Sequence, residues 1–141
     1  MKILIITILT SLGFIGMPDK PELQLRIQNI KNAKGTIRIA FFKKGSDFPN
    51  GNDISLAKEI KPTKTGELLL NITELPQGDY AIAVYHDLNG NFNLDKNVFG
   101  YPSEPFGFSK NFKPRFSAPD FDDCKISIPA TGLQTSIKLI D

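Results

Sequence analysis

The chain has a single cysteine, Cys124, and a single histidine, His86, among its 141 residues. One cysteine excludes an intramolecular disulfide, and one of each leaves no Cys/His set for a metal. No serine lies in a Gly-x-Ser-x-Gly elbow and no glycine loop is spaced to cradle a phosphate, so the motif-level case for a hydrolase or nucleotide enzyme is thin. Charge of one sign is also scarce. The net charge is +2 and the lysines are scattered, whereas nucleic-acid binding calls for a clustered basic face. No segment carries an apolar stripe at helical spacing, and no repeat or low-complexity linker interrupts the chain, which points away from helices and toward one domain.

What is present is a period of two. Leu23, Leu25 and Ile27 alternate with polar residues, as do Ile37, Ile39 and Phe41, then Leu68, Leu70 and Ile72, Ile126 and Ile128, and Ile137 and Leu139. Each run reads as a short strand with one face on a core, and Ile54 to Ile60 reads as a less regular one. Glycine, proline and asparagine clusters separate them. About seven strands with frequent turns predict an all-β fold, an antiparallel sandwich, with a small closed barrel as the alternative. Cys124 is in phase with Ile126 and Ile128, so it reads as a buried structural thiol on a strand rather than a nucleophile.

At the N-terminus, Lys2 precedes an apolar run through Ile15, and polar, proline-containing sequence begins at Pro18. The run is shorter than the roughly 20 residues a bilayer span needs, and fits a secretory signal better. Residues 1–17 are therefore expected to be a signal peptide and residues 18–141 one mature domain without a transmembrane segment, periplasmic or secreted. A buried strand or an uncleaved anchor is the competing reading of the same run.

The strand Gly78 to Asp87 is expected to be central, with Tyr80, Ile82, Val84 and His86 on one face and Ala81, Ala83, Tyr85 and Asp87 on the other. At its end Asp87, Asn89, Asn91, Asn93 and Asp95 carry side-chain oxygens at alternate positions. Calcium takes six to eight hard oxygen ligands, and such spacing can wrap the ion, so these five residues are the candidate metal ligands. The loop departs from an EF-hand: Phe92 stands where that loop needs glycine, and Val98 where it needs a bidentate glutamate. With two carboxylates, affinity would fall near the weak extracellular range, about 10⁻⁴–10⁻³ M. The competing reading is a turn held by its own Asx hydrogen bonds. His86 and Asp87 are adjacent on a strand and point to opposite faces, which argues against a catalytic dyad.

From Phe99 to Phe116 the chain is rich in aromatics, prolines and glycines without periodicity, and reads as a long structured loop. Its rings either plug one end of the sandwich or form a groove. In the second case Tyr101, Glu104, Phe106 and Phe108 are the candidate ligand-binding residues.

The run Leu-Pro-x-Gly-x-Tyr-Ala-x-Ala-Val-x-His-Asp from Leu75, the Asn/Gly/Asp loop and Phe-Gly-Tyr-Pro-x-Glu-x-Phe-Gly-Phe-Ser from Phe99 resemble the bacterial secreted proteins grouped as domain of unknown function family 2141. The resemblance covers Leu23 to Leu139. It implies export, an immunoglobulin-like or transthyretin-like sandwich, and no established activity. It also implies weaker cation binding in this chain, because family members often carry Asp and Gly where Asn89 to Asn93 stand. The Leu-Pro-x-Gly-x-Tyr motif is similar to that of transthyretin-like and collagen-adhesin B-type modules, which serve as stalks or binding domains.

The leading expectation is a non-catalytic extracytoplasmic module that binds an unidentified partner or ligand, with calcium as the candidate ion for its loop. The alternatives are a hydrolase or hydrolase accessory domain using His86 and Asp87, with Glu104, near the aromatic loop, and a purely structural envelope protein.

Overall fold

The computed structural model describes residues 20–141. The expected export signal lies outside the described residues. The alternating runs become strands: β1 (Leu23–Ile30), β2 (Thr36–Phe42), β3 (Leu56–Ile60), β4 (Gly66–Ile72), β5 (Gly78–Asp87), β6 (Phe106–Phe108), β7 (Ile126–Ile128) and β8 (Leu133–Lys138). One sheet has the order β4-β1-β8, and a five-stranded sheet runs β3-β2-β5-β6 with β7 also paired to β5. Their facing sides meet in one core. Leu23, Leu25 and Ile27 of β1, Ile37, Ile39 and Phe41 of β2, Tyr80, Ile82 and Val84 of β5, and Ile137 of β8 are all buried there. Each such side chain contributes about 1.5–3 kcal/mol on leaving water. The alternation is thus the cause of the two-layer packing.

The all-β class follows the sequence expectation, with three differences. Among the described residues the strands number eight, because the Phe99–Phe116 stretch contains β6, only three residues long and carrying a glycine, too short to show a period. The sheets are mostly rather than wholly antiparallel, since β1 and β8 run parallel. Cys124 lies not on a strand but at the end of a four-residue helix, α1 (Phe121–Cys124). It is fully buried, and burial pushes its thiol up to about 12, so it is an inert packing residue as expected. Among the described residues no helix is long and apolar enough to cross a membrane.

The chain end joins the two sheets. Ile140 and Phe106 exchange backbone hydrogen bonds of 2.8 and 2.9 Å, so the segment after β8 leaves the first sheet and pairs with β6 of the second. This close approach needs Gly107: a β-carbon there would lie 2.7 Å from Ile137 Cγ2. One edge is thereby stapled, and β6 is fixed beside β5 at the place where the long loops converge.

Candidate functional site

Strand β5 delivers Asp87, fully buried, to the root of the Asx-rich loop. Its Oδ1 accepts the Gly90 amide at 2.7 Å, and its Oδ2 accepts the Phe92 amide at 3.0 Å and Arg38 Nε at 2.8 Å. Burial alone would push this carboxyl up, but the bonds from Arg38, Phe92 and Gly90 outweigh it and hold the group below the usual carboxylate range. Glu104 folds back onto the loop, accepting the amides of Leu88 at 2.9 Å and Asp95 at 3.2 Å. The Asp95 carboxylate in turn accepts the side-chain amides of Asn89 at 2.6 Å and Asn91 at 2.8 Å. Asn89 and Asn91 each cap a backbone amide two residues ahead, Asn91 and Asn93 respectively, and the Asn93 side chain donates to the Asn91 carbonyl. The five candidate metal ligands are therefore brought together, and the side-chain oxygens of Asp87, Asn89, Asn91 and Asp95 accept from N–H donors of the loop, Asp87 also from Arg38. Among the described residues no group of three or more His, Cys, Asp or Glu is arranged to hold a metal.

Phe92 takes the left-handed backbone, φ 67°, in the very position where an EF-hand loop requires glycine. A bulky residue in that region costs about 1–2 kcal/mol. Two contacts offset it: the Asp87 bond to its amide, and the Arg38 guanidinium 4.0 Å above its ring. Tyr85 adds a third tie, its hydroxyl donating to the Phe92 carbonyl at 3.0 Å. The loop is consequently pinned at Phe92 by three contacts where the sequence leaves it looking merely polar.

His86 and Asp87 occupy opposite faces. The His86 ring is buried against the Lys34 carbonyl, 2.7 Å from Nε2. A carbonyl can only accept, so Nε2 donates to it, and Nδ1 has no hydrogen-bond partner. No hydrogen bond links His86 to Asp87, and neither side chain is open to solvent, which is not the arrangement of a general base with its orienting acid.

The outer face of the five-stranded sheet, turned away from the main core, holds a second cluster. Phe42, Phe48, Ala81, Phe106, Phe108 and Cys124 pack there. Edge-to-face contacts run from Phe42 to Phe48, Phe108, Phe106 and Tyr101, with ring centres 5.2–5.8 Å apart. Phe106 and Phe108 are thus buried wall residues, and Tyr101 is the half-exposed end of the run. Glu104 is a buried clamp on the loop.

Beside this wall the sheet is low. Cross-strand register places Ala57, Ala40, Ala83 and Phe108 in one row across β3, β2, β5 and β6. The next row is Glu59, Arg38, Tyr85 and Phe106. Three methyl groups in succession leave a trough of about 520 Å³, bounded by Phe42, Phe108, Tyr85, Phe92 and Leu94. An adjoining cavity of about 260 Å³ shares Leu94, Lys96, Phe106 and Phe108 and continues toward Tyr101, Arg115 and Phe116. These volumes suit a small molecule or a short apolar segment. Sequence reasoning marked Phe106, Phe108 and Tyr101 but missed Arg38, Ala40, Ala57 and Leu94. The alternation of Ala81 and Ala83 was the visible signal; the matching alanines on β2 and β3 become neighbours only through strand register.

The family model described as an uncharacterized protein conserved in bacteria (DUF2141) matches residues 25–137, and the chain belongs to that family. No curated protein and no solved structure matches it.

Proposed function

We propose that this family member is an exported, non-catalytic binding module of the immunoglobulin-like or transthyretin-like kind, and that the trough on its five-stranded sheet is the ligand site. The carrying observation is the row Ala57–Ala40–Ala83, which lowers the floor of a sheet face whose surroundings are aromatic. The polar side chains of the adjoining sheet row are committed to structure: Arg38 to Asp87 and Glu59, and the Tyr85 hydroxyl to Phe92. A face so arranged offers apolar contact on a rigid frame, with no positioned nucleophile or base. The apolar residues before Pro18 support export. The Asx-rich loop serves as the frame, with Asp87 and Glu104 as its internal clamps, and calcium is not required in this reading.

The test uses Nile red, an uncharged dye whose emission shifts to the blue in an apolar site. The protein is expected to bind it saturably, and Ala40→Leu and Ala83→Leu are expected to abolish the signal while leaving the melting temperature nearly unchanged. Dye binding that survives both substitutions, or no binding by the parent chain, would refute the trough as the site.

A further inference from the structure

We infer that the natural occupant of the trough is an amphipathic monocarboxylate, a medium-chain alkyl acid, lying with its chain on the alanine floor and its carboxylate toward Lys96 and Arg115; this rests on the trough being the ligand site. Charge complementarity carries the inference. Of the residues bounding the trough, the one carboxylate is Glu59, and it is paired with Arg38. The adjoining cavity is lined by two cations, Lys96 and Arg115, and by no acidic residue. Neither cation forms an ion pair among the described residues. Lys96 lines both spaces, so it marks their junction.

The unbalanced charge at this place is positive, and an ammonium and a guanidinium both make charge-assisted bonds to a carboxylate. The rest of the ligand is defined by what the trough does not offer. Arg38, Glu59 and Tyr85 are already bonded to protein partners, so the polar row of the sheet itself is not free to meet the hydroxyls of a sugar. Alanine methyls, Phe42, Leu94 and Phe108 instead present an apolar channel, where burying methylenes is favourable. An unbranched chain ending in one acid satisfies both halves.

The experiment displaces Nile red with decanoate, decanol and decylammonium, each below its micelle-forming concentration. Decanoate is expected to displace the dye at a concentration about tenfold lower than decanol, with decylammonium the weakest. In the double variant Lys96→Gln and Arg115→Gln, that preference should vanish while the affinity for the dye is kept. Equal displacement by decanoate and decanol, or a preference that survives in the double variant, overturns the carboxylate and leaves an apolar site. Failure of the parent chain to bind the dye removes the site itself. Dimerisation on size exclusion that Ala40→Leu abolishes would assign the trough to a second copy of the chain and also overturn the inference.

Discussion

The two faces of the five-stranded sheet are built from the same strands, yet they end as different surfaces. On the inner face Ile37, Ile39, Phe41, Ile82 and Val84 are at most 2% exposed and fill the space to the opposite sheet. On the outer face the intervening positions include Ala40, Ala57 and Ala83, whose short methyls leave a trough beside the aromatic cluster against which Ala40 and Ala83 pack. Strand alternation decides which face a residue joins; side-chain volume decides whether that face becomes core or site. The inner face is packed throughout, and the outer face carries, beside its aromatic cluster, the space proposed as the ligand site.

The largest expected effect belongs to the inner face. Ile39→Ala removes buried volume with no means of refilling it, and should cost about 4 kcal/mol in urea unfolding. A loss below about 1 kcal/mol would show that the faces do not differ as described. Next comes the ion pair at the frame. Asp87→Asn withdraws a fully buried charge from Arg38, whose side chain is 11% exposed, and should cost about 3 kcal/mol. The same pair sets an acid dependence. The folded Asp87 carboxyl is held below its ordinary value of 3.8, so its contribution is complete above that pH and is lost as pH falls through the lower folded value. Melting curves between neutral pH and this window should lose part of their acid slope in Asp87→Asn, and an unchanged slope would contradict the pairing.

The smallest effect concerns calcium. Because Asp87, Asp95 and Glu104 already accept hydrogen bonds from the loop, the ion would have to displace Asn89 and Asn91 from Asp95. A site with a Kd of about 10⁻⁴ M would add about 1.4 kcal/mol at about 1 mM calcium. No rise in melting temperature is expected. A rise that disappears when Asp87 and Asp95 are both replaced by Ala would show that the loop holds the ion.

Much of this architecture was legible in the sequence because it is local. Period-two alternation assigned Ile37, Ile39, Tyr80, Ile82 and Val84 to one core, and put His86 and Asp87 on opposite faces. The pieces that stayed hidden are non-local or too short to have a period. β6 has three residues, and its pairing depends on the chain end reaching Phe106. Cys124 was rightly read as buried, although α1 rather than a strand buries it. The loop displayed its five oxygen-bearing residues and the option of a turn held by its own Asx bonds, but the clamp on Asp87 also needs Arg38, which the sequence does not bring near it. The trough was least visible of all, since Ala57 and Ala83 are brought to either side of Ala40 only by the register of three strands.

The central claim, that the alanine floor is where a ligand sits, can be read directly from carbon-labelled alanine methyls in NMR spectra during titration with Nile red. The methyls of Ala40, Ala57 and Ala83 should shift together and saturably, while those of Ala33 and Ala130, exposed in turns away from the trough, stay in place. Shifts spread over all five, or absent from the three floor methyls, would contradict the account.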